Sequence, residues 1–270
     1  YLFDSEVFLE PHYLRFRPRD TAYLKVVDFS LTIKVEPVGH RVLKDEENHL
    51  IDFCWFEGLT NHLNIKAESI VETKPYNPFN FILHPQEFNK LPFQYREQEK
   101  NLLYPALEIQ PLSKALIAFG KTIQNETHFQ TIPYLTELTK QLHQDFHVEY
   151  REEGAPLAPD ETYTLKKGSC RDLSWMLIHL LRQQGFAARF VSGNFYFEMD
   201  ESAYELHAWV ELYLPGTGWL GLDPSHGTFT GNTYFPVASS AYFEHTMPVS
   251  GGIRGSASSK LDAYLSIEIL

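Results

Sequence analysis

The rhythm of hydrophobic and polar positions changes several times along this chain. From Tyr23 to Val35 (YLKVVDFSLTIKV) β-branched and aromatic residues partly alternate with polar ones, which predicts a strand. Pro37 and Gly39 break it, and the polar run from Asp45 to Asn48 supplies a turn. Leu50 to Phe56 and Leu63 to Val71 are two further strands. Short strands joined by polar turns predict an antiparallel sheet or sandwich at the N-terminus. Between Pro75 and Pro111, prolines are scattered among aromatic residues, the texture of a linker that lies against something. Helices are predicted over Leu112 to Asn125 and Ile132 to Phe146. The second aligns Leu135, Leu138, Leu142 and Phe146 on one face, and Thr131 and Pro133 suit its entry. These changes predict a β-rich domain over 1–80, a proline-rich linker over 81–111 and a second domain over 112–270.

A polar stretch from Tyr150 leads into K-G-S-C-R-D-L-S-W-M-L-I-H-L-L, residues 167 to 181. Leu173, Met176, Leu177, Leu180 and Leu181 recur at helical spacing, Ser169 is placed to cap the helix, and Gly185 ends it. Phe186 to Val191 reads as a short strand and Ser192 to Tyr204 as a loop. Leu206 to Leu214 (LHAWVELYL) then alternates strictly, with His207, Trp209, Glu211 and Tyr213 on one face. P-G-T-G turns the chain, and Trp219 to Asp223 runs back as the second strand of a hairpin.

The register of that hairpin decides whether His207 and Asp223 meet. Pairing Leu214 with Trp219 would set Asp223 opposite Val210 and aim it away from His207. Pairing Tyr213 with Trp219 sets Asp223 opposite Trp209, diagonal to His207 at about 7–8 Å between backbones, within side-chain reach. A bulge would serve equally well.

Composition narrows the classes of function. The chain has 270 residues and a formal net charge of −12, and its cations form no basic block, so a nucleic-acid partner is not expected. No apolar run spans a membrane and no signal peptide is visible; with two cysteines, a reducing, cytoplasmic setting is expected. The chain starts at Tyr1 rather than Met, which leaves an upstream segment open. Cys54 lies inside a strand and reads as a buried structural thiol. The 12 histidines show no zinc-helix spacing, and there is no calcium-loop pattern, so no metal or other cofactor is expected.

Cys170 differs from Cys54 because it opens a helix, where unpaired backbone N–H groups and the positive end of the dipole favour a thiolate. Alone, such a cysteine is more often core filler than catalyst. A strand histidine and a carboxylate at the hairpin's return add a base and an orienter, the set that thiol acyl transfer requires. His179 lies about 13 Å along the helix from Cys170 and is structural. His226, just past Asp223, could line the cleft but reads first as a solvated loop histidine, and Arg171 and Asp172 read as surface or supporting contacts.

G-S-C-R-D with its helix, E-L-H-A-W-V-E-L-Y-L-P-G-T-G-W and L-D-P-S resemble the catalytic core of the bacterial transglutaminase-like superfamily. R-F-R-P-R and the strands ending S-I-V-E-T are similar to the β-rich domain that often precedes that core. The resemblance implies an α+β fold: a papain-like core, with the cysteine helix packed on an antiparallel sheet, behind a sandwich-like N-terminal domain. It implies Cys170 as nucleophile, His207 as base and later acid, and Asp223 as orienter. The backbone N–H of Cys170 and the hydroxyl of Tyr150 are the candidate oxyanion donors, and the segment from Tyr234 to Leu270 is expected to close the core. The implied activity is acyl transfer on a peptide or protein amide through a thioester. Hydrolysis as a cysteine peptidase or amidase comes first, with glutamine transamidation, or a non-catalytic peptide-binding protein retaining the fold, as alternatives.

Overall fold

Two large hydrophobic clusters organise the described residues, one among the N-terminal strands and one that takes in the proline-rich stretch together with the helices and strands after it. The computed structural model describes residues 1–151, 154–197 and 203–269. In chain order the elements are β1 (Leu2–Leu9), β2 (His12–Leu14), β3 (Leu24–Lys34), β4 (Gly39–Lys44), β5 (Leu50–Trp55), β6 (Thr60–His62) and β7 (Asn64–Thr73), then α1 (Glu97–Leu103), α2 (Lys114–Glu126) and α3 (Thr131–Asp145). After them come β8 (His147–Val148), α4 (Pro159–Leu165), β9 (Lys167–Gly168), α5 (Cys170–Gln183), β10 (Ala188–Phe197), β11 (Ala203–Leu214), β12 (Gly218–Asp223), β13 (Thr228–Phe229), β14 (Tyr234–Ser240), β15 (Val249–Ser250), β16 (Ile253–Arg254) and β17 (Ser259–Lys260). None of the helices among the described residues is long and apolar enough to cross a membrane.

The N-terminal strands are antiparallel, as their alternation predicts: β3 pairs β7 in a two-stranded ribbon, and β2 and β4 flank β5. Val7, Leu9, Leu14, Cys54, Phe56 and Leu63 form their core. Cys54 is buried there, and burial, aided by the charge of Asp52, pushes its thiol up to about 11. The chain's last strands depart from expectation. Only β14 joins the core sheet; β15 pairs β2, and β16 and β17 pair β1. Strands β1 and β2 would otherwise present open edges, and the returning chain covers them.

The second cluster is a five-stranded antiparallel sheet, order β13-β12-β11-β10-β14, covered on one face by α5. This is the α+β arrangement expected. Leu173, Met176, Leu177, Leu180 and Leu181 are fully buried, each worth roughly 1.5–3 kcal/mol of transfer free energy. Yet α5 is more than amphipathic: Trp175, Ile178, His179 and Arg182 are buried as well, Trp175 against Phe190 and Phe243, and α2 and α4 also pack on the helix. His179 sits edge-on to Trp175 at 4.4 Å, and burial, with the charge of Arg182, pulls its pKa down to about 4. Arg182 donates to the carbonyls of Ala188 (2.9 Å) and Ala241 (2.8 Å). Gly185, at φ +88°, stops the helix in a conformation that costs glycine nothing.

The proline-rich stretch is less of a linker than its composition suggests. It contains α1, and Leu83, Phe88, Leu91, Phe93, Tyr95, Leu103 and Ala106 belong to the core cluster. Tyr95 donates to the carbonyl of Tyr213 at 2.6 Å.

Arg19 and the 45–49 turn join the N-terminal strands to this sheet. Arg19 reaches Glu211 of β11 and Ser239 of β14 (2.9 Å), while Arg189 grips the other oxygen of Glu211 at 2.7 Å. Burial works against the charge of Glu211, but the two guanidinium groups outweigh it and hold the carboxyl low. His49 accepts from the backbone N–H of Ser239 (3.1 Å), and Ser240 donates to Glu47 (2.8 Å).

Candidate active site

Tyr213 pairs with Trp219 and Val210 with Leu222. This is the register that carries Asp223 diagonal to His207, and the side chains close the gap: His207 Nε2 lies 2.7 Å from Asp223 Oδ2. Both residues are buried. Strand β10 is longer than expected and runs to Phe197, so residues 192–197 of the expected loop are strand; β11 begins at Ala203, and 198–202 lie outside the described residues.

Asp223 collects more donors than a simple pair. Oδ2 also accepts from Nδ1 of His226 (2.7 Å) and the hydroxyl of Tyr234 (2.8 Å), while Oδ1 accepts from the backbone N–H groups of Ser225 (2.8 Å) and His226 (3.4 Å). Burial works against a charge on a residue with 0 % exposure, but the charges and hydrogen bonds of His207 and His226 overcome it and hold the carboxyl well below the usual range. His226 is therefore not simply a solvated loop residue, although its side chain remains 34 % exposed. Its turn is pinned from α3, where His143 donates through Nδ1 to the carbonyl of Ser225 at 2.7 Å. Phe195 packs against the rings of Tyr234 (4.4 Å), His226 (4.6 Å) and His207 (5.6 Å).

The sheet lies between this cluster and the body of α5. Ala208, Val210 and Leu212 face the helix, whereas Trp209, next to His207, joins Val191, Phe195 and Tyr234 on the opposite side. Two hydrogen bonds fix how far along β11 the helix begins. Ser174 donates to the carbonyl of Ala208 (3.1 Å), and Arg182 to that of Ala188, whose ladder partner is Leu212. Ser174 to Arg182 is about 12 Å of helix and Ala208 to Leu212 about 13 Å of strand, so the two run side by side in the same direction. One turn back from Ser174, about 6 Å, sets Cys170 level with Leu206 and His207. The β11–β12 ladder has ended before that level: its last pair is Val210 with Leu222, while Asp223 pairs with Thr228 of β13 on the other edge of β12.

The start of α5 is held firmly. Asp172 accepts from the backbone N–H and hydroxyl of Ser169 (both 2.8 Å), the N–H of Leu157 (2.7 Å) and Arg151 (2.6 Å). Asp172 is thus a buried anchor for the capped first turn rather than a surface contact, and Cys170 remains partly exposed. Tyr150 does not share this enclosure. The residue is 87 % exposed, whereas an oxyanion donor is preorganised away from water, so its exposure gives the Tyr150 expectation no support.

Two imidazoles and a carboxylate also make a donor set for a metal ion. One ligand atom from each of His207, Asp223 and His226 lies within 4.8 Å of the others.

The chain matches two family models: Transglutaminase-like superfamily over residues 121–224, and Bacterial transglutaminase-like N-terminal region over residues 1–72. An uncharacterized protein of Mycobacterium tuberculosis is 24 % identical over 268 residues, 93 % of this chain and 84 % of that protein. A protein-glutamine gamma-glutamyltransferase of Pseudomonas aeruginosa is 30 % identical over 80 residues, which are 27 % of this chain and 12 % of the relative. The uncharacterized protein YebA of Bacillus subtilis is 36 % identical over 84 residues, 11 % of its length. The chain thus spans only about a ninth of these last two relatives. Among solved structures, a candidate cysteine protease from Cytophaga hutchinsonii superposes with a TM-score of 0.66 at 17 % identity, covering 95 % of this chain and 84 % of that one.

Proposed function

For a chain that carries a transglutaminase-like core behind a bacterial transglutaminase-like N-terminal region, we propose thiol-dependent acyl transfer on peptide or protein amides, with Cys170 as nucleophile, His207 as base and Asp223 as its orienter. The observation that carries this reading is the buried His207–Asp223 pair on the strand beside which α5 presents Cys170.

The chemistry follows from the geometry. Asp223 holds the proton on Nε2 of His207, so Nδ1 is the nitrogen that exchanges a proton with the thiol. On this reading Cys170 and the imidazole meet beyond the end of β12, at the level where α5 begins beside β11. The thiolate attacks the amide carbonyl, and the backbone N–H of Cys170 at the start of its helix stabilises the oxyanion. His207, now protonated, gives its proton to the leaving amine. The resulting thioester is resolved by water, which His207 deprotonates in turn. Hydrolysis, as in a cysteine peptidase or amidase, is the principal reading. Transamidation is the second, favoured by the 30 % identity to the gamma-glutamyltransferase over 80 residues, in which an amine takes the place of water.

Iodoacetamide alkylation of Cys170 against pH, in the native protein and in His207→Ala, tests the shared step. Reaction persisting well below the free-thiol range and lost with the histidine supports it, and equal ordinary rates in both refute it. Incubation with a glutamine-containing protein, with and without a fluorescent amine, separates the readings: ammonia or new termini without amine incorporation means hydrolysis.

A further inference from the structure

We propose that His207, Asp223 and His226 form a zinc site that overlaps the candidate catalytic pair, so that Zn²⁺ binding silences Cys170. The inhibitory half of this proposal rests on the acyl-transfer reading; the binding half does not.

Both histidines aim a ring nitrogen at one oxygen. His207 Nε2 and His226 Nδ1 each lie 2.7 Å from Oδ2 of Asp223, and one ligand atom from each residue lies within 4.8 Å of the others. Two imidazoles and a carboxylate are a common protein donor set for zinc, with the fourth position left to water. Zn–N and Zn–O bonds of about 2.0–2.2 Å at tetrahedral angles separate the ligand atoms by about 3.3 Å, so each ring must withdraw by roughly 0.6 Å. His226 has room to do so, since its side chain is partly exposed on a turn. The remaining support is in place: Oδ1 of Asp223 stays on the Ser225 N–H, Tyr234 continues to donate to the carboxylate, and His143 holds the turn.

Coordination and catalysis exclude one another here. A zinc-bound Nε2 leaves the imidazole proton on Nδ1, the nitrogen that must receive the thiol proton. Each neutral histidine moves its proton to the opposite ring nitrogen, so no further reagent is needed. Binding is favoured at pH values where both imidazoles are neutral.

The test is isothermal titration with Zn²⁺ alone, on the full chain, in the native protein, Cys170→Ser, His226→Ala and His226→Gln, with thermal unfolding to confirm that each is folded. Expected are one site in the native protein, an affinity within about threefold in Cys170→Ser, and a loss of at least ~10–100-fold in both His226 variants. In parallel, Zn²⁺ at ten times its dissociation constant should slow native Cys170 alkylation about tenfold, reversibly with a chelator. Absence of binding, unchanged binding in folded His226 variants, or binding that vanishes in Cys170→Ser would overturn the site; the last would mean zinc held by the thiolate. If His207→Ala leaves Cys170 alkylation unchanged, the acyl-transfer reading falls while the titration of Cys170→Ser still decides the metal site.

Discussion

Replacing Asp223 by Asn keeps the shape of the side chain and removes its charge, which makes it the sharpest probe of the cluster. The carboxylate now takes three side-chain donors on Oδ2 and two backbone donors on Oδ1. An amide cannot satisfy both sides. If its oxygen keeps His207, His226 and Tyr234, its NH₂ meets the N–H of Ser225, and a buried donor without an acceptor costs about 1–3 kcal/mol. The bonds to the histidines also lose their charge assistance, roughly half their strength. The expected destabilisation is about 3–5 kcal/mol, measured by urea unfolding at pH 7. If about 3 kcal/mol of this falls on the protonated form of His207, the thiolate–imidazolium population drops about 100-fold, read as the Cys170 alkylation rate at pH 6. The sign of the pH dependence follows as well. The folded carboxyl is depressed below its unfolded value of about 3.9, so its stabilisation is complete above that value and is lost as pH falls below it. Native protein should therefore weaken steeply below about pH 4, and Asp223→Asn less so. An alkylation rate equal to the native one, with stability lowered by less than about 1 kcal/mol, would refute the reasoning.

Arg19→Ala leaves Glu211 with Arg189 alone and should cost about 3 kcal/mol in urea unfolding; a neutral result would mean that the junction is not energetically coupled to the sheet. Tyr150→Phe should change the alkylation rate and kcat/KM less than about twofold, because the side chain stands in solvent, and a tenfold fall would restore it as an oxyanion donor. Gly216→Ala places a Cβ 2.1 Å from the carbonyl oxygen of Ile82 at φ +95° and should destabilise by more than about 2 kcal/mol. A smaller loss would show that residues 82–84 can give way.

The sequence is most legible where one period runs unbroken. Strand β11 shows its two faces over nine residues, and with P-G-T-G behind it the hairpin leaves two regular registers and a bulge to choose from, and the Tyr213–Trp219 register brings Asp223 to His207. Helix α5 is equally clear at its start, yet its full burial is not, since Trp175, His179 and Arg182 interrupt the apolar pattern and are nevertheless enclosed, by Phe190, Phe243 and the carbonyls of Ala188 and Ala241. His226 is hidden for a different reason. It follows Asp-Pro-Ser in a turn with no periodicity, and only the fold of that turn returns it to Asp223. Tyr234 begins a strand far enough from the hairpin that no local pattern connects it to the site. The short strands β15, β16 and β17 have two residues each, too few for alternation to register, and their partners lie at the other end of the chain.

That last pairing bears on the order in which the protein is made. Strand β1 is translated well ahead of its partners β16 and β17, so those edges stay unpaired while the intervening chain is made. Contacts across so long a separation form late and slowly, and an open edge invites pairing with a neighbouring nascent chain in the interval. Arg19 and His49 dock the N-terminal strands onto β14, which is translated long after them. Synthesis thus holds back the part of the junction that rests on Ser239 until β14 is available, although β11 already offers Glu211 to Arg19.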